Sequence, residues 1–353
     1  MAIERKNNIM LFPRFGKYII VFFAIAFIVA ALRGYQLYQY IFRENVKIDY
    51  VLIVPQNTTF KQITDSLEIN EVLENYKAFK WVAKKKKYPS TVKPGRYKFT
   101  KGMNTNEVVN ILRSGLQTPI GLTFNNVHFK EDLAGKVSKY IQADSLSILS
   151  LFSDDGQIKD FGFTPEAYPA MFIPNTYEFY WTTSAEEFAN RMKMEYDRFW
   201  TPDRLKKAEA MNLSPVEVSV LASIVQSETA KKDEMPAIAG LYYNRLKKGI
   251  PLQADPTVKY AVGDSSLKRI LNSHLEIDSP YNTYKFAGLP PGPINFPETA
   301  SIDAVLNYEK NNYLYMCARE DFSGYHNFAS TLAEHNRNAE KYRAALNAEK
   351  IYR

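Results

Sequence analysis

The hydrophobic pattern of the chain opens on one uninterrupted run. Tyr18 to Leu32 read YIIVFFAIAFIVAAL, fifteen residues without a charge, preceded by Arg5, Lys6, Arg14 and Lys17. Such a run predicts a membrane helix, and the basic flank keeps its start in the cytoplasm. It is shorter than the ~20 residues that cross a bilayer comfortably. Arg33 can snorkel, however, and the aromatic stretch Tyr35 to Phe42 can extend the helix into an interface. The expected layout is a cytoplasmic tail over 1–17 and an anchor over 18–42. The alternative is a cleavable signal peptide with Val29-Ala30-Ala31 as its small-residue site. On either reading the remainder of the chain is exported.

After this run the apolar period changes. Tyr50 to Val54 (YVLIV) is short and β-branched, which predicts a strand. Helical spacing follows over Phe60 to Leu67 and over Tyr76 to Lys84, the latter running into Lys85, Lys86 and Lys87. Val92 to Phe99 predicts a turn and strand. Asn104 with Glu107 makes a capping-box pattern for a helix that Gly115 stops. This β-α-α-β-α unit, placed at 47–116, resembles a LysM-type glycan-binding module. The lysine run suits a solvated helix end, which the helix dipole favours, better than a wall-binding patch.

Further on, a strand is expected within Leu116 to Val127 and helices over Lys130 to Ile141 and Ser145 to Phe152. An aromatic, proline-marked stretch, Tyr168 to Trp181, precedes a helix over Ala185 to Trp200. The fold class predicted is α+β: an N-terminal transmembrane helix, the small LysM-like module, then a mixed α/β catalytic domain over 117–353. That domain divides into an accessory part, 117–205, and a core, 206–353, with the catalytic acid on a helix.

Composition narrows the class. Apolar residues make up 46% of the chain and aromatics 14%, enough for real cores and too much for disorder. The net charge of +7 suits an anionic partner without choosing among nucleic acid, membrane and wall polymer. A single cysteine, Cys317, excludes an intrachain disulfide, and His128, His274, His326 and His335 are scattered without zinc spacing.

Ser214 to Ala230 (SPVEVSVLASIVQSETA) carries the strongest local signal. Ser214 as N-cap, Pro215 at N1 and Glu217 at N3 set the helix start. Leu221, Ile224 and Val225 form one apolar stripe, and Glu228, four residues after Ile224, falls on it while Gln226 points away. A carboxyl on an apolar stripe has a raised pKa. An acid still protonated near neutrality is what glycosidic cleavage requires. A frayed helix end capped by Lys231 or Lys232 is the plain alternative.

Two later segments add context. Tyr243 to Tyr260 (YNRLKKGIPLQADPTVKY) and Ser279 to Pro297 (SPYNTYKFAGLPPGPINFP) hold amide, charged and aromatic side chains on pre-set loops, as sugar recognition uses them. Gly288 to Pro293 reads as a structural turn, whereas Asn282 and Tyr284 suit contact with substrate.

From here the chain resembles the endolytic murein transglycosylases, the YceG-like family. The motifs run in order: LASIVxxET at Leu221 to Thr229, NRLxxG at Asn244 to Gly249, LQxDPTV at Leu252 to Val258, PYNTY at Pro280 to Tyr284, GLPPGPI at Gly288 to Ile294, YLY at Tyr313 to Tyr315, GxHxF at Gly324 to Phe328 and TLxEHN at Thr331 to Asn336. The family's first glutamate of ExET is Gln226 here, and the second is retained as Glu228. Asn175 replaces the acid of its FPDTY motif, and Ala254 a common threonine.

The resemblance implies non-hydrolytic cleavage between N-acetylmuramic acid and N-acetylglucosamine, with Glu228 as acid and then base and no metal or cofactor. Candidate substrate contacts are Gln253, Asp255, Asn282, Tyr284, Asn244, Arg245 and Thr229. Implied partners are glycan strands, the cytoplasmic membrane and peptidoglycan synthases, not nucleic acid, and the catalytic domain is expected outside the inner membrane. Two rivals stand beside this reading. One is a hydrolytic muramidase using Asp255 as second carboxylate. The other is a wall-binding scaffold with a dead site, for which Gln226 is the main argument.

Overall fold

The structure is a computed structural model that describes residues 14–263, 267 and 270–349. It opens on helix α1 (Arg14–Phe42), which runs unbroken through the apolar run and its aromatic extension. The most apolar window of Gly16–Phe42 has a mean hydropathy of 2.1 and none of it is buried, so this helix is long and apolar enough to cross a membrane once.

The chain divides into two compact units, Met1–Pro119 with Tyr180–Thr182, and Ile120–Phe179 with Thr183–Arg353. The first therefore runs a few residues beyond the predicted end at 116 and recruits a short later segment. It contains β1 (Tyr50–Val54), α2 (Phe60–Ile69), α3 (Tyr76–Lys85), β2 (Gly95–Phe99) and α4 (Thr105–Ser114). β1 and β2 pair antiparallel with Tyr50 opposite Phe99 and Val54 opposite Gly95. Alternate residues Leu52 and Val54 enter a core with Ile63, Leu67, Phe79, Val82, Tyr97, Phe99 and Leu112, while Val51 and Ile53 face out. The predicted Asn104–Glu107 capping box forms, and Gly115 ends α4 in the left-handed region at φ 74°. Lys84 and Lys85 lie exposed in the last turn of α3, a solvated helix end.

The second unit has one continuous core that draws on both 117–205 and 206–353, from Leu122 through Phe188 and Leu221 to Leu306. The predicted accessory and core parts are thus not separately packed. Its strands form two antiparallel pairs: β3 (Ile120–Phe124) with β4 (Asn175–Phe179), and β5 (Tyr315–Ala318) with β6 (His326–Ala329). No parallel pairing occurs among the described residues, so the expected mixed α/β domain is instead a helix-rich α+β one. Between β3 and β4 lie α5 (Lys130–Val137), α6 (Ser145–Ser150) and α7 (Asp155–Asp160). Then come α8 (Ala185–Phe199), α9 (Pro202–Ala210), α10 (Pro215–Glu228), α11 (Met235–Lys247), α12 (Asp255–Val262) and α13 (Thr299–Leu306), and α14 (Leu332–Ala348) closes the order. The proline-marked stretch resolves into a 3₁₀ turn at Tyr168–Met171 followed by β4.

The predicted apolar stripe on α10 is not what forms. Every residue from Val218 to Val225 is buried, because α10 is enclosed on all sides rather than laid on a surface. Gln226 is not turned to solvent either. Its Oε1 accepts from the Glu298 N–H at 2.7 Å and the Ser301 hydroxyl at 2.9 Å, and its amide donates to the Phe296 carbonyl. Gln226 therefore anchors the chain entering α13.

Candidate active site

α10 starts where the sequence predicts, on a Ser214–Glu217 capping box with Pro215 at its first turn. It stops at Glu228, because Thr229 turns extended, at φ −145° and ψ 142°. Glu228 thus sits at the carboxyl end of a buried helix, where the dipole disfavours a negative charge. Its side chain is partly open to a cleft of about 320 Å³. Burial is the main cause that pushes its pKa up to about 7, with nearby Asp255 adding to it and Tyr242 and His326 opposing it.

α11 supplies the support. Tyr242 donates its hydroxyl to Glu228 Oε1 at 2.6 Å. Burial holds the phenol well above its ordinary pKa, so it remains a donor. That bond occupies one carboxyl oxygen and leaves the other to carry a proton into the cleft. Three residues on, on the same helix face, Arg245 is 6% exposed and ties three segments. It donates to Pro251 O at 2.9 Å, Leu314 O at 2.7 Å and Gln253 Oε1 at 2.6 Å. Gln253 is held in the left-handed region, φ 54°, with its N–H donating to the Thr283 carbonyl.

Asp255 is the first residue of α12. It accepts a hydrogen bond from the Tyr284 hydroxyl at 2.6 Å. Thr283 locks the two segments together: its Oγ1 accepts from Ala254 N–H at 3.0 Å and lies 2.8 Å from Thr257 Oγ1. Below them, Gly292 passes the Glu166 carbonyl so closely that a Cβ would stand 1.8 Å from it, so the Gly288 to Pro293 loop is structural as expected.

Of the predicted residues, Glu228, Arg245, Gln253, Asp255 and Tyr284 share this one cleft. Three others do not reach it. Asn282 is fully buried and folds its own loop, donating to Leu275 O and Ile277 O and accepting from the Tyr284 N–H. Asn244 faces the other way and holds the carbonyls of Asn311 and Tyr313. Thr229 is buried, and its hydroxyl accepts from the Lys231 N–H just past the helix end. In each case an amide or hydroxyl suited to a sugar is consumed by backbone groups that burial would otherwise leave unpaired.

The sequence reading missed Tyr242, Tyr315, His326 and His335 on the cleft wall. His335 stacks on Tyr315, with centroids 5.4 Å apart, and burial lowers its pKa. The signal was present for His326 and His335, inside GxHxF and TLxEHN. Tyr242 had one too, as the residue one helical turn before Arg245.

Comparison with known proteins shows the family. The model of the YceG-like family matches residues 52–341. A protein of Bacillus subtilis (strain 168) named endolytic murein transglycosylase is 30% identical over 309 residues, covering 83% of this chain and 85% of its own length. One of the same name from Streptococcus pneumoniae serotype 2 is 28% identical, with 94% of this chain and 66% of the relative aligned. A crystal structure of a putative yceG-like protein from Listeria monocytogenes superposes with a TM-score of 0.55 at 29% identity, covering 82% of this chain and 98% of that one. With the match running through both units and the cleft, the chain belongs to the YceG-like family.

Proposed function

We propose that this protein is an endolytic lytic transglycosylase that cuts the bond between N-acetylmuramic acid and N-acetylglucosamine in peptidoglycan strands. The observation that carries this reading is the Glu228 carboxyl, held near half-protonation at neutral pH by burial and braced by Tyr242 in an open cleft. The name that the relatives carry, endolytic murein transglycosylase, supports it.

In this mechanism Glu228 protonates the glycosidic oxygen, and the Tyr242 hydroxyl stabilises the carboxylate that results. The muramyl N-acetyl group stabilises the oxocarbenium-like centre. The muramyl 6-hydroxyl then closes a 1,6-anhydro ring, and its proton restores Glu228. An intramolecular hydroxyl held near the anomeric carbon competes with water at an effective concentration on the order of 10⁵ M. Gln253, Arg245, Asp255 and Tyr284 supply polar contacts along the cleft.

Around this core, α1 anchors the chain in the cytoplasmic membrane, with the catalytic unit outside. The antiparallel β1–β2 pair with its three helices serves as a LysM-like glycan-binding module. Peptidoglycan synthases are proposed as partners, because an anchored cutter meets strands as they emerge. Asp255 in the same cleft favours one second reading, a muramidase in which water attacks. Mass spectrometry of products from purified glycan strands separates the two. Anhydro-muramyl ends, one water lighter and resistant to borohydride, are expected; mostly reducible ends would establish hydrolysis. Gln226 does not line the cleft, so the replacement of an acid at that position weighs little for a dead site.

A further inference from the structure

The cleft holds a second acid–base pair that the mechanism above leaves idle. His326 begins β6 and lines the wall together with Glu228. Its backbone N–H donates to Oε1 of Glu234 at 2.7 Å, and its Nδ1 lies 2.8 Å from Oε2 of the same carboxyl. The Glu234 side chain is only 4% exposed and that of His326 16%. A buried carboxylate engaging both groups fixes the ring and places the hydrogen of the neutral imidazole on Nδ1. Nε2 is then the acceptor, and no protein partner for it is present among the described residues. The other cleft groups are less suited to this role. Asp255 is engaged by Tyr284, and His335, stacked on Tyr315, has a buried Nδ1 without a partner and so lacks the orienting carboxylate that His326 has.

We propose that His326, oriented by Glu234, receives the muramyl 6-hydroxyl and draws off its proton during ring closure. This rests on the transglycosylase reading and adds a relay to it. The 6-hydroxyl proton passes to Nε2 as its oxygen bonds to the anomeric carbon. The bond from that carbon to the glycosidic oxygen breaks, and the leaving oxygen keeps the proton from Glu228. The imidazolium, stabilised by Glu234, hands its Nε2 proton to the Glu228 carboxylate. Both residues return to their starting states, and no atom is gained or lost.

The test uses the full-length protein in detergent with purified glycan strands, comparing wild type with His326→Gln, His326→Ala and Glu234→Gln. Both His326 variants are expected to lose kcat by about 100-fold or more, the scale of one acid–base group, with KM little changed. Their remaining products should contain a larger share of borohydride-reducible ends, because water gains on an unassisted hydroxyl. Glu234→Gln should fall between these and wild type. If His326→Ala does not fold, His326→Gln decides. Wild-type kcat and product ratio in His326→Gln, or a loss confined to KM, would overturn the relay. Mostly reducible ends from the wild type would instead overturn the transglycosylase reading itself.

Discussion

Two helices of this protein are apolar by composition and have opposite fates. α1 is exposed along its apolar length, and from Gly16 to Phe42 it carries no buried residue. α10, which with α9 reaches membrane-helix apolarity by composition although the pair bends by 78°, is buried through its centre in a protein core. The polar residues explain the difference. On α10, Ser219, Ser223, Gln226, Ser227 and Glu228 each have a protein partner. The apolar run of α1, Tyr18 to Leu32, has no Ser, Gln or Glu to pair. A helix meant for lipid avoids polar side chains; a helix meant to hold an acid inside protein is wired to its neighbours.

The comparison breaks most visibly at Glu228. Glu228→Gln keeps the shape and removes the proton donor, so cleavage should fall on the order of 10³-fold or more while the protein stays folded. Substantial turnover in a glycan-release assay would end the assignment. A charge in α1 should act on location instead. Ala26→Asp puts an unpaired carboxylate mid-helix at a cost of roughly 2.5–3.5 kcal/mol for insertion. The protein should then shift to the soluble fraction on membrane fractionation while still cutting added glycan. Full membrane retention would mean that α1 is not the anchor.

Smaller effects sharpen the contrast. Gln226→Ala strips partners from the Glu298 N–H and the Ser301 hydroxyl, and Ser223→Ala from the Ile294 N–H. Each should cost about 1–3 kcal/mol in denaturant unfolding, as buried donors left unpaired do. Tyr242→Phe removes a bond that lowers the Glu228 pKa. The fall in activity on the alkaline side should therefore move to higher pH than the wild-type midpoint near 7, and an unmoved limb would separate that limb from Glu228.

A further effect is on stability alone. Glu228 titrates near 7 when folded against an ordinary value of 4.5. Between those values the unfolded chain has released the proton and the folded one has not. Stability should thus decline as pH rises through that window, by about 3 kcal/mol in total. Glu228→Gln should flatten that decline and melt higher than wild type above pH 7.

Much of the local structure was legible because its causes are local. The Ser214–Glu217 box, the Asn104–Glu107 box with Gly115, and the strand Tyr50–Val54 form at the predicted residues, since capping and β-branching act within a few positions. Glu228 could be picked out as a candidate acid, and it does line the cleft with a raised pKa. What misled was the helical wheel: it assumes one wet face, and α10 has none. Asn282 and Asn244 were chosen for side-chain chemistry alone, which cannot tell a sugar-facing amide from one that satisfies buried carbonyls.

By itself the sequence determined the apolar first helix, the helix starts, the family motifs and Glu228 as the candidate acid. Each is written in contiguous residues or in their period. Tertiary structure alone decided that Tyr242 braces Glu228, that Arg245 orders Gln253, and that His326 faces the cleft with Glu234 behind it. These pairs lie from 8 to 92 positions apart. Only the packing of α10, α11, α12 and the β5–β6 hairpin around one cleft brings them within hydrogen-bond reach, and only that burial raises the Glu228 pKa to about 7.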